Sequence, residues 1–180
     1  MILTLDIGNT NIKTALFDGK EMVNYWRLST SITNTSDEYG GDKPVIFIDF
    51  GTATTFGVVG TDAKSGTGEF LGGAIFPGIK LASEALTSGT AKLPRFALAK
   101  PEHVIGRTTL TNLQSGMFHG YVGMVTNLVK RMKQELGGDA LVVATGGMAV
   151  LLAEEAKVID KLDGLLTLKG LRLIYERNKA

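Results

Sequence analysis

The 180-residue chain contains no cysteine. That removes disulfides, zinc–thiolate sites and cysteine nucleophiles from consideration, and it agrees with a reducing compartment without requiring one. Histidine is scarce. His103 and His119 have no assignable acid partner, and both read as surface or satisfied core residues rather than metal ligands or catalytic bases. Charge of one sign is missing too. Nineteen Lys and Arg meet eighteen Asp and Glu, which leaves no electrostatic footprint for nucleic acid or an anionic membrane. No apolar run reaches the roughly 18 residues that a membrane-crossing helix needs. The first residues run into an acid at Asp6 and lack the basic start and unbroken apolar stretch of a signal peptide. The expectation is a cytoplasmic protein that engages neither nucleic acid nor membrane.

Apolar residues make up 44% of the chain, enough for a real core. Three strands are expected at the start, over 2–7, 11–17 and 21–28, with Asp18-Gly19-Lys20 as a hairpin turn. Residues 29–43 are polar, carry no sustained period and read as a loop or junction. Strands are expected again over 44–49, 55–59 and 70–76, with 61–69 as a hairpin loop. Pro77-Gly78 precedes a helical pattern beginning at Ile79, where proline would suit the first turn. Leu110, Leu113, Met117, Tyr121, Met124, Leu128 and Met132 recur at spacings of three and four and predict a long helix over 110–136. Gly116, Gly120 and Gly123 interrupt it, each costing roughly 1 kcal/mol against alanine, which points to close approach of another backbone or to a kinked helix. Residues 140–156 read as strand, glycine pair and helix, and an amphipathic segment follows. Strands alternating with helices from residue 44 onward indicate an α/β protein.

One phrase occurs twice. "LDIGNTNIK" starts at Leu5 and "IDFGTATTF" at Ile48, so Asp6 and Asp49 each end an apolar strand and precede a glycine turn rich in hydroxyls and amides. A carboxylate there is fixed by the sheet and can hold a hard cation. The glycine lets the backbone approach closely, and amides in such turns make anion-binding concavities. Asn9, Thr10, Thr52 and Thr54 add neutral donors for phosphate oxygens, and Lys13 adds a point charge. A single copy is also what an ordinary strand-to-turn junction looks like. Two copies suggest a pair of phosphate hairpins that clamp a nucleotide. "ATGG", ending in Gly146-Gly147, lies between a strand and a helix N-terminus, where a base or phosphate can come close; alone it would be a tight turn.

Paired phosphate hairpins with a Gly-Gly motif resemble the superfamily of sugar and acetate kinases, actin and heat-shock ATPases. Within it, "LDIGNTNIK", "DFGTATTF", "GGAIFPG", "AKLPR", "LQSG" with "GYVG", "ATGG" and "LTLKGL", in this order, resemble type III pantothenate kinase. The resemblance implies an actin-like ATPase (ribonuclease H-like) fold of duplicated domains. It implies transfer of the ATP γ-phosphate to pantothenate, the first step of coenzyme A synthesis, with Mg²⁺ and a monovalent cation, K⁺ or NH₄⁺, in a homodimer. On this likeness Asp6, Ile7, Gly8, Asn9, Thr10, Asn11, Ile12 and Lys13 form the first ATP hairpin. Asp49 matches the monovalent-cation ligand, Thr52 a second ATP contact, Gly146 and Gly147 the adenosine motif, and Thr109 a pantothenate contact. The glycine-bearing helix is the expected dimer contact.

The sequence departs from the family in one place. The family carries a Gly-Ala-Asp-Arg segment ahead of its second hairpin, and the Asp of that segment is the general base. Gly40-Gly41-Asp42-Lys43 is not its equivalent, because Asp42 stands only seven residues before Asp49 and no helix fits between them. The first half is also short, since each βαβ unit takes about 30 residues or more. The expected division is an incomplete N-terminal subdomain over 1–43 and a C-terminal subdomain over 44–180, with no catalytic base identified. The alternative is a non-catalytic regulatory relative of the same fold, similar to a virulence accessory factor.

Overall fold

A computed structural model of the chain describes residues 2–7, 11–18, 21–29, 43–61, 68–89 and 93–177. Two compact units emerge, residues 1–32 and 33–180. The first is a three-stranded antiparallel meander, β1 (Ile2–Ile7), β2 (Asn11–Asp18) and β3 (Glu21–Ser29), in the order β1-β2-β3. In its first hairpin Asp6 is paired with Lys13 and Ile7 with Ile12. Gly8, Asn9 and Thr10, expected to form the phosphate turn, lie outside the described residues, as does the 18–20 turn beyond Asp18.

The second unit holds β4 (Val45–Phe50), β5 (Ala53–Thr61), β6 (Gly68–Pro77), α1 (Ile79–Ser88), α2 (Thr109–Glu135), β7 (Leu141–Thr145), α3 (Ala149–Ala156), β8 (Lys161–Leu162) and α4 (Leu166–Arg177). Its sheet runs β6-β5-β4-β7-β8. β4, β5 and β6 form an antiparallel meander, whereas β7 pairs parallel to β4 and β8 parallel to β7. The central strand β4 is buried from Val45 to Ile48 and again at Phe50, the continuous apolar run expected of a strand covered on both faces. Ile46, Ile48 and Phe50 join Val142 and Ala144 in one core with Phe118, Tyr121, Val125 and Val129 of α2 and Leu152 of α3.

Several expectations need correcting. Pro77 closes β6, and the cap of α1 is Gly78 in extended conformation. Proline suits that edge because its missing N–H costs a terminal strand position nothing. Helix α1 stops at Ser88 on Gly89, and residues 93–108 carry no regular structure. β8, two residues long, gave no sequence pattern to find. Helix α2 spans the expected length, but its buried side is Ser115, Met117, Phe118, Tyr121, Val125 and Val129. Met124, Leu128 and Met132 only flank the core, and Leu110 is exposed. Two apolar stripes cross at Tyr121, and the one with the compact β-branched valines packs deepest. A Cβ at Gly116, Gly120 or Gly123 would meet nothing within 4 Å, so among the described residues no backbone is the close neighbour those glycines suggested.

Candidate nucleotide and cation site

The carboxyl ends of β4 and β7 lie side by side, with Asp49 in register with Thr145. Ligands of open α/β sheets collect at such an edge, where parallel strands end and the backbone turns away. Beyond Asp49 the chain turns through Gly51 and Thr52, both exposed, and returns along β5, with Phe50 paired to Thr54. Beyond Thr145 it turns through Gly146 and Gly147 into α3. The two turns touch. Gly146 has φ +96°, and a Cβ there would lie 2.6 Å from the Phe50 carbonyl oxygen. Only glycine brings the two turns this close. The structure therefore brings together Asp49, Thr52, Gly146 and Gly147, four of the residues picked from sequence.

Asp49 exposes its side chain and has no side-chain hydrogen bond or ion pair among the described residues. Partial desolvation by the surrounding protein pushes its carboxyl above the ordinary value. An unpartnered carboxylate with its charge partly desolvated gains from a bound cation. Its neighbours here offer oxygen donors only, the set that hard ions prefer. No group of three or more His, Cys, Asp or Glu that could hold an ion occurs among the described residues. Asp49 would thus share a cation with backbone, water and ligand oxygens.

The turn is braced from behind. The Gly78 amide donates to the Thr52 carbonyl at 3.1 Å, and a Cβ on Gly78 would fall 2.2 Å from that oxygen. Tyr121 of α2 donates its hydroxyl to the Pro77 carbonyl at 2.7 Å. Thr54 reaches the same carbonyl at 3.5 Å and is fully buried. Thr54 therefore faces inward and offers no donor to a phosphate, contrary to the expectation from its place in the motif: the second residue of β5 is already committed to the core. Thr145 and the Pro77–Gly78 brace escaped sequence reading, because register and close backbone contacts leave no periodic signal.

Thr109 opens α2. It follows the cap Thr108, whose hydroxyl and that of Thr111 satisfy each other's backbone amides in a reciprocal box. Ser115 anchors the preceding loop through a short bond to the Val104 carbonyl. Thr109 itself is exposed on a well-fixed helix start. His103 is exposed beside Glu102. His119 departs from its expected satisfied state: its Nε2 is buried with no hydrogen-bond partner among the described residues.

An antiparallel meander followed by two parallel strands, with acid–glycine and Gly-Gly turns on one edge, defines an α/β protein of the actin-like ATPase fold. The structure of a protein from Campylobacter jejuni, described as a Baf family transcriptional activator, shares that fold. It matches 99% of this chain and 100% of its own at a TM-score of 0.56 and 18% identity. A family model for type III pantothenate kinase matches residues 2–41 and 39–131. Type III pantothenate kinases of Myxococcus xanthus and Paramagnetospirillum magneticum are 36% and 38% identical, with 100% of this chain and 100% and 98% of theirs covered. The chain belongs to the type III pantothenate kinase family. The alignment with the Myxococcus protein runs over 260 positions against 180 residues here, so about 80 of its positions have no counterpart. The two pieces of the family match overlap at residues 39–41.

Proposed function

We propose that this protein transfers the γ-phosphate of ATP to pantothenate, giving 4'-phosphopantothenate at the start of coenzyme A biosynthesis. The observation that carries the reading is the family match on both sides of the junction at 39–41, which takes in both acid–glycine turns. The touching turns at Asp49–Thr52 and Gly146–Gly147 support it as a place where a nucleotide can come close. Residues 6–13 also contact ATP in this proposal. Phosphoryl transfer asks the protein mainly to position and to neutralise charge. Asp49 holds the monovalent cation, Thr52 meets a phosphate, Gly147 lets the nucleoside approach, and Thr109 contacts pantothenate. Mg²⁺ on the ATP phosphates supplies charge neutralisation when bound.

We further propose a cytoplasmic homodimer that binds neither nucleic acid nor membrane. The balanced charge supports this, and no helix among the described residues is long and apolar enough to cross a membrane. The open glycine face of α2 is the dimer contact in this reading. The domain boundary is proposed near the 39–41 junction, with 1–43 and 44–180 as the subdomains. The test is ADP release coupled to pantothenate, with and without K⁺. ATP binding with no pantothenate-dependent release under any cation would favour the regulatory alternative.

A further inference from the structure

The segment behind the Asp49–Thr52 turn ties it to a helix that carries none of the turn's own residues. Pro77 and Gly78 form the contact. The Gly78 amide holds the Thr52 carbonyl at 3.1 Å, and the missing Cβ lets the two backbones meet. The Pro77 carbonyl accepts the Tyr121 hydroxyl at 2.7 Å, and the Phe76 ring stands edge-on to the Tyr121 ring at 5.7 Å. Tyr121 sits inside the core between Phe118 and Val125 of α2, so its ring is fixed. We propose that Tyr121 is a positioning residue: through the Pro77 carbonyl and the Gly78 amide it fixes the turn that carries Asp49 and Thr52, so that the placement of α2 sets the geometry of the cation and phosphate site.

The physical basis is a short series of directed contacts rather than general packing. A tyrosine hydroxyl buried against a carbonyl fixes that carbonyl in place, and an unmade bond there leaves a desolvated acceptor. Burial also pushes the Tyr121 hydroxyl above its ordinary titration range, so it remains a donor across neutral pH. The same planar peptide group carries the Gly78 amide, so displacing the Pro77 carbonyl displaces the donor on Thr52. Thr54 bonds the same carbonyl more weakly, at 3.5 Å. The importance of the turn rests on the proposed nucleotide reading; the coupling of Tyr121 to the turn does not.

The test compares Tyr121→Phe with Val125→Ala, a change in the same helix and core that keeps the Tyr121 hydroxyl. Amide hydrogen exchange is followed residue by residue in the whole chain, and the affinity for a fluorescent ATP analogue is measured with and without K⁺. Losing one buried hydrogen bond corresponds to about tenfold faster opening. Tyr121→Phe is expected to speed exchange of the Gly51 and Gly78 amides by roughly that factor while Val142 and Val143 follow only the global stability. Val125→Ala is expected to shift all of them together. A severalfold weaker analogue affinity in Tyr121→Phe at matched stability completes the expected result. Uniform acceleration in both variants overturns the proposal, as does unchanged exchange at Gly51 and Gly78. Selective acceleration with no analogue binding even to the unaltered chain upholds the coupling and overturns the nucleotide reading instead.

Discussion

Two neighbouring glycines separate fold from function at single-residue resolution. Gly146 has φ +96°, and its absent Cβ would strike the Phe50 backbone at 2.6 Å. Gly146→Ala is expected to destabilise the chain by about 1–3 kcal/mol, the cost of a strained backbone conformation, and more if the two turns separate. Gly147 is exposed, and a Cβ there meets nothing within 4 Å. Gly147→Ala should leave the melting temperature unchanged. If a nucleoside lies on this turn, the same change should weaken ATP binding about tenfold or more, near 1.4 kcal/mol, as measured by titration calorimetry. Unaltered binding would remove Gly147 from the site. Asp49 gives a prediction of the opposite sense for stability. Its carboxyl titrates above the ordinary 3.8 because the surrounding protein partly desolvates the charge even though the side chain is exposed. The folded chain thus holds this proton more tightly than the unfolded one, and its contribution to stability falls as pH rises from the unfolded value through the raised one. Above that window Asp49→Asn should raise the melting temperature while abolishing K⁺ dependence. An asparagine variant that is less stable at pH 7 without K⁺ would contradict this account.

At the scale of elements, α2 presents glycine where alanine would be better. Gly116, Gly120 and Gly123 lie at i, i+4 and i+7, which is one helix face, and that face is exposed in the single chain. Replacing each with alanine should stabilise an isolated chain by roughly 0.5–1 kcal/mol. In the proposed dimer the same substitutions should crowd the partner's backbone and shift the assembly towards monomer, read by sedimentation against concentration. Stabilisation with no change in assembly would move the dimer contact elsewhere. The existence of α2 was legible from its spacing, and β4 from its unbroken apolar run. Which stripe of α2 would be buried was not legible, because two stripes share Tyr121 and only the sheet beneath selects between them. The place of Asp49, Thr52 and the Gly-Gly turn at strand ends was readable, because glycines after an apolar run mark where a strand turns. Thr145 and the Tyr121–Pro77–Gly78 brace were not, since their roles arise from strand register and from backbone atoms whose residue identity is nearly neutral. Thr54 shows the reverse error: a hydroxyl inside a motif was read as a ligand when the hairpin directs it into the core.

The two units repeat one design to different extents. β1-β2-β3 and β4-β5-β6 are both antiparallel meanders headed by an apolar strand with Asp as its next-to-last residue, and among the described residues the second continues into parallel strands and helices. The family relative from Myxococcus has about 80 positions that this chain lacks, against its 180 residues. About 80 residues is enough for two βαβ-type units. The family match divides at 39–41, and the sequence reading places the shortfall there, after the first meander. The resemblance to the family implies a general base in that same stretch. General acid–base groups contribute about 10²–10⁴-fold to rate. The 180-residue chain should therefore turn over pantothenate at least about 100-fold more slowly than a relative of full family length assayed beside it. It should do so without a matching loss at Asp49: K⁺ should still stabilise the chain against heat, because that turn is built from residues of the second unit alone. Both halves are measurable on one preparation, by coupled ADP release and by thermal unfolding with K⁺ or Na⁺. Turnover equal to the relative's would mean that another carboxylate of this chain serves as the base, and the exposed acids of the second unit would be the next to substitute.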